Sequence, residues 1–120
     1  MLSKYIGKPY SFRRYNCWDF VVEARKECGI ETKVFKPATL KEAFQVVTAQ
    51  MQKLGHGLSK VDEPLNFDIV IVSKQNKFMS YHCGLLFDGV VVHCCPIVGA
   101  VTTSTLFEFT RDKDGVSFWR

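Results

Sequence analysis

The spacing of apolar positions changes character near the middle of the chain. Up to residue 55 they recur three and four apart, as on one helix face; beyond residue 66 they gather in short β-branched runs. In the first part Phe20, Val21, Ala24 and Cys28 keep helical spacing. Asn16 precedes them as an N-cap, Asp19 follows it by three as in a capping box, and Gly29 is a fitting stop. The pattern predicts a helix over roughly 17–28. A second helix is predicted behind Pro37, with Thr39 and Glu42 as its capping box. Its stripe runs through Leu40, Ala43, Phe44, Val47, Met51 and Leu54 to a stop at Gly55. Residues 1–15, broken by Gly7 and Pro9, predict irregular structure.

In the second part "FDIVIVS" (67–73) predicts a buried strand. "YHCGLLF" (81–87) and "VVVHCC" (90–95) flank Asp88-Gly89, a strong hairpin signal. "VGAVTTST", "LFEFT" and "VSFW" are further strand candidates. Helices followed by an antiparallel meander predict an α+β fold, in one domain spanning residues 1–120.

Composition narrows the function classes. Apolar residues make up 47% of the chain, enough for one core, and there are no repeats or linkers. The net charge of +4 is scattered, and the tightest basic group, Arg13-Arg14 between Phe12 and Tyr15, reads as a solvated loop. Nucleic acid is therefore not an expected partner, although a weak attraction to anionic polymers such as cell-wall material is. No stretch approaches the ~20 apolar residues of a membrane span. "MLSKYIGKPY" lacks the apolar centre of a signal peptide, so synthesis in the cytoplasm without general secretion is expected. Five cysteines, an odd number, argue for reduced thiols over a disulfide framework.

The candidate chemistry starts at "NCWDF" (16–20). Taken alone, Cys17 reads first as a small core residue, because free cysteine is among the most buried types. If Asn16 is the cap, however, Cys17 opens the helix, where free N–H groups and the positive dipole end favour the nucleophilic thiolate. The hairpin strengthens that alternative. A two-residue Asp88-Gly89 loop would pair Phe87 with Val90, Leu85 with Val92, Gly84 with His93 and His82 with Cys95. His82, Gly84, Leu86, Val91, His93 and Cys95 then share a face, with open space expected at Gly84 beside the two imidazoles. A base (His82) and its orienter (His93) have this relation. His56, in "GHG", reads as a loop residue; Cys28, Cys83 and Cys94 read as core. His82 and Cys83, adjacent on a strand, point to opposite faces, and no C-x-x-C element occurs, so no metal or cofactor is expected.

Together "YNCWDFVVEARKECGI", "FDIVIV" and "HCGLLFDGVVVHC", over roughly residues 7–95, resemble the NlpC-type cell-wall cysteine peptidases, a papain-like group. The resemblance implies a papain-like fold, with N-terminal helices packed on a C-terminal antiparallel sheet or half-barrel. It implies Cys17 as nucleophile, His82 of a His-x-Gly strand as base and His93 as orienter. Tyr10 of "GKPY" would stand for the family's oxyanion tyrosine, with Trp18 and Gly84 beside the substrate. The implied reaction is cofactor-free cleavage of an amide bond in peptidoglycan stem peptides, typically between a D-glutamyl γ-carboxyl and a diamino acid. "Cys-Trp" is similar to phage tail-associated members, which implies delivery by a virion and tail proteins as partners. The chain departs from the family at Asp19, where glycine is usual, and at Arg13–Asn16, where a Gly-Gly stretch is frequent. Three alternatives stand beside this expectation: an acyltransferase or deamidase on the same scaffold, a catalytically silent tail module, and a zinc-binding module.

Overall fold

The computed structural model describes residues 2–32, 58–74 and 81–120. The helix expected over 40–54 and His56 lie outside the described residues. The fold is α+β, built on a six-stranded antiparallel sheet. In chain order a short 3-10 turn at Leu2–Tyr5 precedes helix α1 (Cys17–Glu27). Strands β1 (Lys60–Val61), β2 (Ile69–Ser73), β3 (Tyr81–Phe87), β4 (Val90–Cys95) and β5 (Ala100–Thr105) follow. A short helix α2 (Leu106–Thr110) leads into β6 (Gly115–Trp119).

α1 begins where the capping signal places it. The Asn16 side chain accepts the amides of Trp18 and Asp19, each at 3.0 Å, and the Asp19 carboxylate accepts the Asn16 amide at 3.1 Å. Gly29, at φ +84°, turns the chain out of the helix. The hairpin turn is equally local: Asp88 and Gly89 have φ of 49° and 80°, the positive pair that suits a two-residue loop between twisted strands.

The sheet departs from a simple meander. Its order is β1-β6-β2-β3-β4-β5, so the C-terminal strand returns to lie between β1 and β2. The final residue anchors that return: the Arg120 guanidinium grips the buried Asp68 carboxylate through two bonds, of 2.8 and 3.0 Å. A second departure is "LFEFT", expected as a strand and found as α2. Thr105 Oγ1 accepts the Glu108 amide at 3.1 Å, so the T-x-x-E spacing works as a helix start and overrides a short apolar run. At the other edge residues 7–10 run along β5, with Gly7 donating to the Val101 carbonyl and Tyr10 to that of Gly99, both at 2.9 Å.

Both faces of the sheet are covered. On one, Ile69, Ile71, Cys83, Leu85, Val92 and Cys94 pack with Cys17, Trp18, Phe20, Val21 and Ala24 of α1. On the other, Val70, Val72, Leu86 and Val91 pack with Phe109 of α2. Double-sided burial explains why β2 is apolar throughout and not alternating. Among the described residues no helix is long and apolar enough to cross a membrane.

Candidate active site

α1 contacts β3 and β4, and its first residue is Cys17, fully buried. The cap consumes the amides of Trp18 and Asp19, and the Asn16 carbonyl takes that of Phe20 at 3.1 Å; the Cys17 amide is not used by the cap. At the other end of the interaction stand the histidines. His82 lies near the start of β3 opposite Val72, and His93 lies on β4 opposite Thr102. Both rings pack against Phe109, with centroids at 5.5 and 4.8 Å, so they share the α2 face.

The rings are joined. His82 Nε2 and His93 Nδ1 are 2.8 Å apart, and His93 Nε2 is 3.0 Å from Ser104 Oγ. His93 is buried and is held neutral: burial, with the neighbouring His82, lowers its pKa to about 3. A neutral imidazole carries one N–H, so its two contacts divide into one donated and one accepted bond.

Cys17 is under the electrostatic influence of His82. Its thiol is held well below the ordinary cysteine range. The largest cause is the Cys83 side chain, acting as a hydrogen-bond donor; burial opposes it; the electrostatic pull of His82 adds to it. Cys83 moves the opposite way, raised first by burial and then by Cys17, so the negative charge belongs on Cys17. His82 Nε2 is engaged by His93, whereas its Nδ1 is buried and has no hydrogen-bond partner, so it is the nitrogen left to take a proton from the sulfur. Cys17 and the histidines come from opposite faces of the sheet. β3 carries Cys83 on the Cys17 side and His82 on the other, beyond the last regular β3–β4 pair, Leu85 with Val92.

The structure thus joins His82 to His93 directly, and Cys17 to His82 through the electrostatic influence on its thiol. Tyr10 joins the surroundings of Cys17. Burial, and then the negative charge of Cys17, raises the Tyr10 hydroxyl to about 12, so it stays a neutral donor. Trp18 is buried in the α1-side core. Gly84 differs from expectation. A Cβ there would lie 2.5 Å from Val91 Cγ1, 2.8 Å from the Val92 carbonyl oxygen and 3.0 Å from His93 Cβ. Glycine therefore permits close approach of β4 instead of leaving open space. The expected pairs Gly84 with His93 and His82 with Cys95 are not part of the regular ladder, although Phe87–Val90 and Leu85–Val92 are.

Sequence reasoning missed Ser104 and the role of Cys83. Ser104 sits in a run of four hydroxyl residues, Thr102 to Thr105, and only the register, Val91 opposite Ser104, selects it. Cys83 read as core, which it also is. His82, His93 and Cys95 form a further grouping, their ligand atoms within 4.8 Å of one another. No family model matches the chain, and no curated protein matches it.

Proposed function

We propose that the chain is a cysteine peptidase or amidase that cleaves an amide bond of peptidoglycan stem peptides through Cys17, His82 and His93. The observation that carries the chemistry is the state of His82: its Nε2 is held by His93, its buried Nδ1 has no hydrogen-bond partner, and its charge helps lower the pKa of the helix-start thiol of Cys17. The substrate class rests on the motif order shared with NlpC-type enzymes. In that reading the papain-like arrangement, tail-associated context and virion delivery go together.

The hydrogen-bond chain assigns the proton positions. For His82 to accept the thiol proton on Nδ1, its Nε2–H must point to His93 Nδ1. His93 then carries its proton on Nε2 and donates to Ser104 Oγ. The Cys17 thiolate attacks the amide carbonyl. The Cys17 amide, unused by the cap, and the Tyr10 hydroxyl donate to the oxyanion. The His82 imidazolium protonates the leaving amine, and water then hydrolyses the thioester. His93 and Ser104 act through His82 and are positioning residues.

The test is alkylation under chelator at mildly acid pH with peptide mapping, run beside digestion of purified muropeptides. Preferential labelling of Cys17 among the five thiols, weakened in His82→Ala, and a new free amine in the digest are the expected results. Even labelling of the accessible cysteines, or muropeptides left intact at high enzyme dose, overturns the proposal.

A further inference from the structure

We infer that His82, His93 and Cys95 form a three-ligand site for a borderline divalent metal ion, Zn2+ by preference, whose occupation switches Cys17 chemistry off. The switching half rests on the peptidase reading; the site itself rests on geometry alone.

Two imidazole nitrogens and a thiolate are the ligand set that selects zinc over the oxygen-seeking Mg2+ and Ca2+. The donor atoms of the three residues all lie within 4.8 Å of one another. Ligands at tetrahedral zinc, bound at ~2.0–2.3 Å, stand about 3.5 Å apart. Closing the set on an ion therefore asks the His82–His93 nitrogens, now 2.8 Å apart, to open by about 0.7 Å, and the wider pairs, within 4.8 Å, to draw in by about 1 Å. His82 and Cys95 are half-buried and His93 is buried, so the site borders solvent at its two outer residues. The orienting partner is already in place: Ser104 Oγ stands 3.0 Å from the far nitrogen of His93, where a metal-bound imidazole needs an acceptor for its remaining N–H. The adjacent pair His82-Cys83 still cannot share an ion, since Cys83 packs on the α1 face. Cys95 can, because its sulfur is on the histidine side.

The proton balance explains the switch. Binding converts the Cys95 thiol to thiolate and releases its proton. His82 Nε2 gives up its hydrogen bond to His93 and donates its lone pair to the ion; the single ring proton of His82 then sits on Nδ1. His93 binds through Nδ1 and keeps Nε2–H on Ser104. A ring fixed in this way cannot cycle between imidazole and imidazolium, so Cys17 loses its base and the leaving amine its acid. A fourth coordination position stays with water.

The experiment titrates the metal-free full chain with Co2+ as a spectroscopic probe, then displaces it with Zn2+. One equivalent should bind, with a thiolate-to-cobalt charge-transfer band that disappears in Cys95→Ser and persists in Cys17→Ser. Ser104→Ala should weaken binding about 10- to 100-fold. Under chelator Cys95→Ser should cleave muropeptides at the native rate, and it should need at least tenfold more Zn2+ for half-inhibition. The site is overturned by absence of stoichiometric binding, or by a charge-transfer band that survives Cys95→Ser or vanishes in Cys17→Ser. The switch is overturned if Zn2+ raises turnover, or if Cys17→Ser hydrolyses substrate once zinc is added. Cobalt on Cys95 in a chain that never turns over supports the site and overturns the hydrolase reading with its switch.

Discussion

Replacing Gly84 by alanine should loosen the candidate site from behind. The added Cβ would meet Val91 Cγ1 at 2.5 Å, the Val92 carbonyl oxygen at 2.8 Å and His93 Cβ at 3.0 Å. Unstrained carbon contacts lie at about 3.5–4.0 Å, so β4 must retreat by about 1 Å. The Val91 side chain has nowhere to turn, since it is fully buried against the α2 face, and a backbone carbonyl cannot rotate out of the way. A retreat of about 1 Å would carry the 2.8 Å His82–His93 contact to nearly 4 Å, outside hydrogen-bond range. Overpacking of this kind costs about 1–3 kcal/mol. At roughly 4 °C per kcal/mol for a chain of this size, Tm should fall by about 4–12 °C. A typical stability of about 5–15 kcal/mol leaves the variant folded. Misplacing the orienter of the base by about 1 Å should lower kcat on muropeptides about 100-fold. Thermal denaturation by circular dichroism and initial rates under chelator read both quantities. Gly115→Ala is the control: its Cβ would meet Ser73 Oγ at 2.5 Å, the tip of a side chain that can rotate away. A Gly84→Ala protein that melts within about 1 °C of the parent and keeps its kcat would refute the close approach and the dependence of His82 on His93.

Three further outcomes follow from the same geometry. Cys83→Ala removes the largest influence lowering the Cys17 thiol. A hydrogen bond to a charged group contributes about 1.5–3 kcal/mol, so the midpoint of Cys17 alkylation against pH should rise by about 1–2 units; an unmoved midpoint would show that Cys83 does not support the thiolate. The sign of the activity profile is set by the same thiol. Because Cys17 is lowered, cleavage should persist on the acid side of the ordinary cysteine range and fall only as pH drops through the lowered value; an acid limb near ~8.5 would contradict it. Ser104→Ala should reduce kcat about tenfold with little change in KM, because His93 is freed to take the wrong tautomer, and Ser104→Thr should restore it. Equal loss in both variants would assign Ser104 a merely structural role.

Much of this protein was legible in local sequence. α1, its Asn16–Asp19 cap and its Gly29 stop act within one or two helical turns, and the Asp88-Gly89 turn acts within four residues. Those signals place a cysteine at a helix start and two histidines on one hairpin before any packing is known. α2 shows where local signals compete: Thr105 and Glu108 form a helix start, yet "LFEFT" also reads as a strand, and five residues are too few for periodicity to arbitrate. The rest was decided by tertiary structure. That β6 inserts beside β2, that Gly84 admits a strand and not a substrate, that the charge of His82 acts on Cys17, and that one hydroxyl of four lies behind His93 all join residues distant along the chain. Their positions are set by how the two apolar faces of the sheet are buried at once by α1 and α2, a many-body packing energy that no short window of sequence contains.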